Sequence, residues 1–297
     1  MIKVNVEKLV EVGVAGQITQ PSIGAPPGYR IGHDGKPFTA VGTGGICYNV
    51  RVGDPAFGWA AADQVEPGAA IRDCCCPEAN TALVGLSCIG NEAAVISAAL
   101  DGKDVKLKGA LGTVVGKQGG AGHLIVSFPK RILDRLSIGD TIQVRACGVG
   151  LELQDFPDIR ITNCGPRLFK ALNPSVKGPK LRVQVSKVIP GKLVGAGMGS
   201  SNPQLGDFDI QSVSAEAVKE YDLAALRIGD IVAITDQDAS WGPRFQPAAI
   251  TVGVIVHGAS AVSGHGPGVN ALFSSAGGRV EPIITRKANL ADLLPLS

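Results

Sequence analysis

Apolar residues in this chain fall in short alternating or β-branched clusters, and sustained helical periodicity is rare. Strands are predicted at 46–52, 93–98, 112–115, 123–128, 141–146, 181–188, 231–234 and 249–256. Most are bounded by Gly, Pro or Asp, as short antiparallel strands are. Two local helices are expected, at 129–136 and at 214–226, the second opening with Ser214 as its N-cap. Residues 288–294 read as a short docking helix. One device repeats: Leu136-Ser137-Ile138-Gly139-Asp140-Thr141-Ile142 matches Leu226-Arg227-Ile228-Gly229-Asp230-Ile231-Val232, and Val65-Glu66-Pro67-Gly68-Ala69-Ala70-Ile71 is a weaker copy. Each predicts a turn, a glycine at positive φ, and a strand entering the core. The expected fold is mainly β, a β-rich α+β chain. It has two β-barrel-like or sandwich halves with a few short helices. A Pro-, Gly- and Lys-rich stretch at 173–180 places the division between an N-terminal domain, 1–175, and a C-terminal domain, 176–297.

Composition narrows the class. With 297 residues the chain has ample core for one large or two ordinary domains. Its 40 glycines and 19 prolines follow no strict period, which excludes a collagen-like chain. A net charge of +2 with both signs interspersed leaves no nucleic-acid footprint. No apolar run is long enough to span a bilayer, and the N-terminus lacks the apolar core of a signal peptide. Seven cysteines, an odd number, argue against a secreted disulfide framework. A soluble cytoplasmic protein is expected, with no nucleic-acid or membrane partner, acting on a small molecule as a homo-oligomer.

Candidate chemistry concentrates near the C-terminus. His257 closes a β-branched run, and His265 sits in Gly264-His265-Gly266-Pro267-Gly268. Imidazoles delivered from a strand end and from a glycine-rich loop suit metal ligands or a general base. Asp236 and Asp238, spaced by two after a strand, offer a carboxylate, and Asp236 with both histidines makes a set suited to Zn or Mn. Gly264, Gly266 and Gly268 are candidates to hold an anionic substrate group through backbone N–H donors. His123 follows another glycine-rich turn and is a further substrate-binding candidate. In the N-terminal half, Asn91 and Glu92 place an amide and a carboxylate between apolar runs. There Glu92 can serve as general base and Asn91 as an orienting donor, with His265 completing the catalytic set. The alternative for each is structural: a satisfied buried histidine, a turn cap, an exposed turn. Cys74-Cys75-Cys76 and Cys88 leave a thiol enzyme open, although the Cys-x2-Cys spacing of zinc sites is absent. Gly195-Ala196-Gly197-Met198-Gly199-Ser200 departs from the dinucleotide fingerprint at Ser200, yet such a loop can wrap an anion.

Several motifs together resemble one family. They are Gly53-Asp54-Pro55-Ala56-Phe57-Gly58-Trp59, Val65-Glu66-Pro67-Gly68, Ser87-Cys88-Ile89-Gly90-Asn91-Glu92-Ala93, Gly116-Lys117-Gln118-Gly119-Gly120 before His123, Leu226-Arg227-Ile228-Gly229-Asp230, and His257 with Gly264-His265-Gly266-Pro267-Gly268. The chain resembles the domain-of-unknown-function family 4438 of bacteria and archaea over most of its length, which implies two β-rich halves and carries no established activity. Gly53-Asp54-Pro55 and Val65-Glu66-Pro67-Gly68-Ala69-Ala70-Ile71 are also similar to a turn of the acetamidase/formamidase group, whose histidine motifs are not matched here; that likeness implies amide hydrolysis. The expected function is therefore a metal-dependent hydrolase of a small polar molecule, opening an amide or cyclic-amide C–N bond. A non-catalytic small-ligand-binding or assembly protein, and a cysteine-dependent enzyme using Cys76 or Cys88, are the alternatives.

Overall fold

Inward-facing Ile142, Val144 and Ala146 alternate with solvated Thr141, Gln143 and Arg145 along the strand Thr141–Ala146, the signature of a sheet with one apolar face. The computed structural model, which describes residues 2–23, 28–97 and 107–296, closes that sheet on itself. Six strands run in the order Val12–Ile18, Thr141–Ala146, Glu92–Ser97, Leu111–Gln118, His123–Ser127 and Gly68–Arg72. The last pairs back to the first, giving an antiparallel barrel. Ile18, Ile71, Val95, Val114, Leu124, Val126, Ile142 and Val144 fill its interior. Residue 98, the expected end of one strand, lies outside the described residues.

The second sheet has the order Arg160–Ile161, Gly268–Ser275, Arg244–Ile255, Ile231–Asp238 and Lys187–Pro190, with the two-residue strand Phe208–Asp209 also paired to Gly268–Ser275. It is buried on both faces. Ile231 and Ala233 join one apolar cluster while Val232 and Ile234 join another, so this stretch reads as an unbroken apolar run. The first of these clusters also holds Ile89, Val115 and Ile125 from the barrel's outer side, together with Val252, Val254 and Val256. Barrel and sheet therefore share one apolar core. At Gly116 any side chain would collide with Val256, which lets the two layers approach closely.

The stretch expected as a linker is itself structured. Asn173 caps the helix Pro166–Leu172 in the left-handed conformation, and Ser175–Lys177 then pairs antiparallel with Lys180–Val185. The repeated turn is built alike in both strong copies. Gly139 and Gly229 both have φ of +90°, and the following aspartate accepts from the backbone N–H three residues back, Ser137 for Asp140 and Arg227 for Asp230. Helices are few and short among the described residues. Pro77–Leu86, capped by Cys76, is 10 residues long, and the expected 214–226 helix is Ala215–Glu220 with Ser214 accepting from Ala217 N–H. No described helix is long and apolar enough to cross a membrane.

Candidate functional site: a carboxylate–imidazole cluster between the two halves

The hairpin turn that leaves the barrel at Gln118 meets the loop 202–207 entering the second sheet. Between them lies a cleft of about 510 Å³, lined by Arg30, Gln64, Gln118, Asp207, Asp209 and His265 among others. Four hydrogen bonds hold the loop that delivers Asp207. Asn163 Nδ2 donates to Pro203 O (2.8 Å), Lys117 Nζ to Gln204 O (2.8 Å), Asn270 Nδ2 to Gly206 O (2.9 Å), and Gly119 N–H to Asp207 Oδ1 (2.8 Å).

Asp207 and Asp209 are alternate residues at a short strand, so their carboxylates share a face. That face meets His257, which follows the strand Arg244–Ile255 and is fully buried. Asp207 Oδ2 stands 2.6 Å and Asp209 Oδ1 3.7 Å from His257 Nε2, and one ligand atom from each residue lies within 4.8 Å of the others. The remaining atoms of each group are fixed from outside. Asp207 Oδ1 accepts from Gly119, and Asp209 Oδ2 takes Gln64 Nε2 (2.9 Å), His265 Nδ1 (3.0 Å) and Gly266 N–H (3.3 Å). His257 Nδ1 lies 3.0 Å from Gly258 O and 3.3 Å from Gly268 N–H; the shorter contact makes it a donor to the carbonyl and leaves Nε2 to face the carboxylates. Each of the three groups thus presents one atom inward while its other atom is held by an outer partner, the arrangement that orients metal ligands.

The electrostatics fit a cation at this point. Burial works to lower the His257 pKa, yet the hydrogen bond and charge of Asp207, with the charge of Asp209 and the Gly258 carbonyl, push it up to about 10. The direction of this shift marks a place where two carboxylates favour positive charge, which a metal ion could supply in place of a proton. Two carboxylate oxygens and an imidazole nitrogen form a donor set suited to Zn or Mn. His265 stands at the lip, its Nδ1 on Asp209 and its ring partly exposed. The Asp209 hydrogen bond raises its pKa, burial opposes this, the charges of Asp209 and Asp63 add to it, and Arg30 counts against it.

The two histidines are brought together through opposite oxygens of Asp209, but several expected partners are elsewhere. Asp236 is not in the cluster. The strands 231–238 and 244–255 pair with Ile231 opposite Val254 and Thr235 opposite Ile250, which sets Asp236 roughly 17 Å from the Ile231–Val254 pair at about 3.3 Å per residue, with His257 beyond Val254 in the opposite direction. In a left-handed bulge, Asp236 accepts from Ala248 N–H. Glu92 lies on the barrel strand and lines a separate small cavity with Thr113 and Arg167. Asn91 is consumed by structure, accepting from Cys88 and Cys147 N–H and donating to Cys147 O. His123 is buried against Glu66, 2.8 Å from both carboxylate oxygens, and does not line the cleft.

The glycines at 264, 266 and 268 do not line it either. A side chain at Gly266 would collide with Ile210 O, and one at Gly268 with both His257 Nε2 and Asp207 Oδ2, so these glycines serve close packing around the cluster. The loop 195–200 does border the cleft at Ala196, Gly197 and Ser200. Its N–H groups at 195, 196, 198, 199 and 200 are already bonded to backbone carbonyls, so no open anion cradle results. Burial pushes the Cys88 thiol up, with Lys117 opposing, the reverse of nucleophile activation, and Cys76 Sγ is spent as a helix cap.

Asp207 and Asp209 were missed because the segment reads as a loop. The usable signal was the Asp-x-Asp spacing, the same signal that singled out Asp236 and Asp238, and sheet register alone separates the two.

No curated protein matches the chain. A solved structure described as "Crystal structure of TM1086" is similar to it at 37% sequence identity and a TM-score of 0.90, over 99% of each chain. Two family models match, the N-terminal domain of unknown function DUF4438 over residues 29–170 and its C-terminal counterpart over 172–294. With both domains matched in sequence order, the chain belongs to the DUF4438 family.

Proposed function

We propose that this protein is a divalent-metal-dependent hydrolase of a small polar molecule, with an amide or cyclic-amide C–N bond as the bond it opens. The proposal rests on the convergence of Asp207 Oδ2, Asp209 Oδ1 and His257 Nε2 beside a cleft of substrate size, each held by an outer hydrogen bond. These three residues would hold the ion, and a bound Zn or Mn supplies a water of lowered pKa. Gln64 and His265 both bond the outer oxygen of the Asp209 ligand carboxylate, which fixes His265 relative to the three ligands. His265, which borders the cleft, would give a proton to the leaving nitrogen as a C–O bond forms and the C–N bond breaks. The similarity of the 53–55 and 65–71 turns to the acetamidase/formamidase group supports the amide class.

A second reading has one observation in its favour. The 2.6 Å contact between His257 and Asp207 is a complete hydrogen bond, which a ligand-binding protein without a metal would keep as the floor of its pocket. Elemental analysis of protein incubated with Zn or Mn, followed by assay on a panel of linear and cyclic amides, separates them. One ion per chain, lost in Asp207→Asn and Asp209→Asn, with ion-dependent amide turnover supports the hydrolase. Protein that takes up no ion and turns over no amide overturns it.

A further inference from the structure

Across the cleft from the carboxylate cluster stands one cationic side chain whose hydrogen-bonding capacity is largely unspent. Arg30 Nε lies 3.0 Å from Asp63 Oδ2, and Asp63 is fully buried, its other oxygen bonded to the Ser260 hydroxyl. The chain near Asp63 is anchored in turn, since Thr43 Oγ1 donates to Asp63 O at 2.7 Å and Asp63 N–H to Val41 O at 3.1 Å. The Arg30–Asp63 contact is an ion pair in which neither atom makes a hydrogen bond, and the guanidinium keeps two terminal nitrogens that can offer a parallel pair of N–H donors to a carboxylate. Among the described residues neither terminal nitrogen has a bonded acceptor, and the side chain is 29% exposed and lines the cleft. His265 borders the same space.

We infer that Arg30 is the anion subsite of the cleft, and that the molecule bound there carries a carboxylate on the side away from the bond placed at Asp207, Asp209 and His257. This rests on the hydrolase reading for the identity of the reacting end, not for the anion site itself.

Apart from Arg30, Asp207, Asp209 and His265 the cleft lining is uncharged, and its polar side chains include Thr43, Gln64, Gln118, Ser200 and Asn202. Gln118 and Gln64 already spend their amides on each other, on Ala121 N–H and on Asp209, which leaves the guanidinium as the strong donor on that wall.

The test is a titration of 13C-labelled acetate, with neutral acetamide as the control, followed by NMR in zinc-loaded and metal-free protein. Wild type is expected to bind acetate at least tenfold more tightly than acetamide. Arg30→Gln should weaken acetate at least tenfold without changing zinc stoichiometry, and Arg30→Lys should restore part of the loss. Circular dichroism and melting of both variants establish that they are folded. Equal acetate affinity in wild type and a folded Arg30→Gln overturns the inference, as does failure of wild type to discriminate acetate from acetamide. If the protein takes up no zinc, the hydrolase reading fails, and the same comparison in metal-free protein decides the anion site on its own.

Discussion

Lys117 offers a quantitative test of how the two halves are joined. Its ammonium group is fully buried with no carboxylate paired to it among the described residues; Nζ donates to Asn163 Oδ1 and Gln204 O, both at 2.8 Å. Burial lowers its pKa from 10.5 to about 8, with Cys88 opposing slightly. That gap is equivalent to roughly 3 kcal/mol of folding free energy, which the protein forgoes wherever lysine is charged in both states. The sign follows from proton counting. Between about pH 8 and 10.5 the unfolded chain binds the proton and the native chain does not, so this group's contribution to stability rises with pH across that window and is flat below it. A neutral amine still has two N–H donors, enough for both acceptors. Lys117→Met removes the ionisable group and leaves both acceptors without a donor, at a cost of about 1–3 kcal/mol each. At pH 7 the lost hydrogen bonds and the relieved charge burial partly offset each other. By pH 10.5 the variant should have fallen behind wild type by up to about 3 kcal/mol more. Urea unfolding followed by tryptophan fluorescence at pH 7, 8, 9 and 10 measures this, and groups that titrate in both proteins cancel in the difference. A stability difference that stays constant over the range would refute the buried-ammonium argument.

Three further outcomes follow from the site. Gly268→Ala sets a methyl group between His257 and Asp207 at a position whose backbone tolerates alanine. It should cost about 1–3 kcal/mol in unfolding experiments and weaken zinc binding at least tenfold, and unchanged zinc affinity would show that the contact is not part of the ion site. His265→Ala should abolish turnover on an identified substrate while leaving the melting temperature nearly unchanged, because the ring is partly exposed; full activity in this variant would remove His265 from the mechanism. Asn91→Ala should destabilise by roughly 2–4 kcal/mol, with one buried and two part-buried backbone groups losing their partner, whereas Glu92→Gln should leave both stability and turnover near wild type. Loss of turnover in a folded Glu92→Gln would reinstate that carboxylate as a catalytic group.

The strand content was legible because each strand carries its own local signal. The strand Thr141–Ala146 alternates and ends at punctuation, and the Gly139 and Gly229 turns announce a positive φ that their sequences require. The strand Gly268–Ser275 carried no such signal. All eight of its positions are buried, four of them polar or glycine, so neither alternation nor an apolar run marks it. The helix Pro77–Leu86 was hidden behind Cys74-Cys75-Cys76, since cysteine is an unusual cap, although Pro77 at the first helical position was a usable sign. Of the site, the two histidines were visible as imidazoles at glycine-rich boundaries. Their true carboxylate partner was not, because Asp209 reaches them through pairing of Phe208–Asp209 with a strand sixty residues later in sequence. Local patterns identify ligand types; register, which is a long-range property, decides which ones meet.

The hydrolase reading of this cleft turns on whether Asp207, Asp209 and His257 hold an ion. Anomalous diffraction from crystals grown without chelators and soaked in zinc measures that directly. The account predicts a single strong peak bounded by Asp207 Oδ2, Asp209 Oδ1 and His257 Nε2, with Gly119, Gln64 and Gly258 still bonded to the outer atoms of those residues. No peak at this place, with His257 Nε2 still hydrogen-bonded to Asp207, would contradict it.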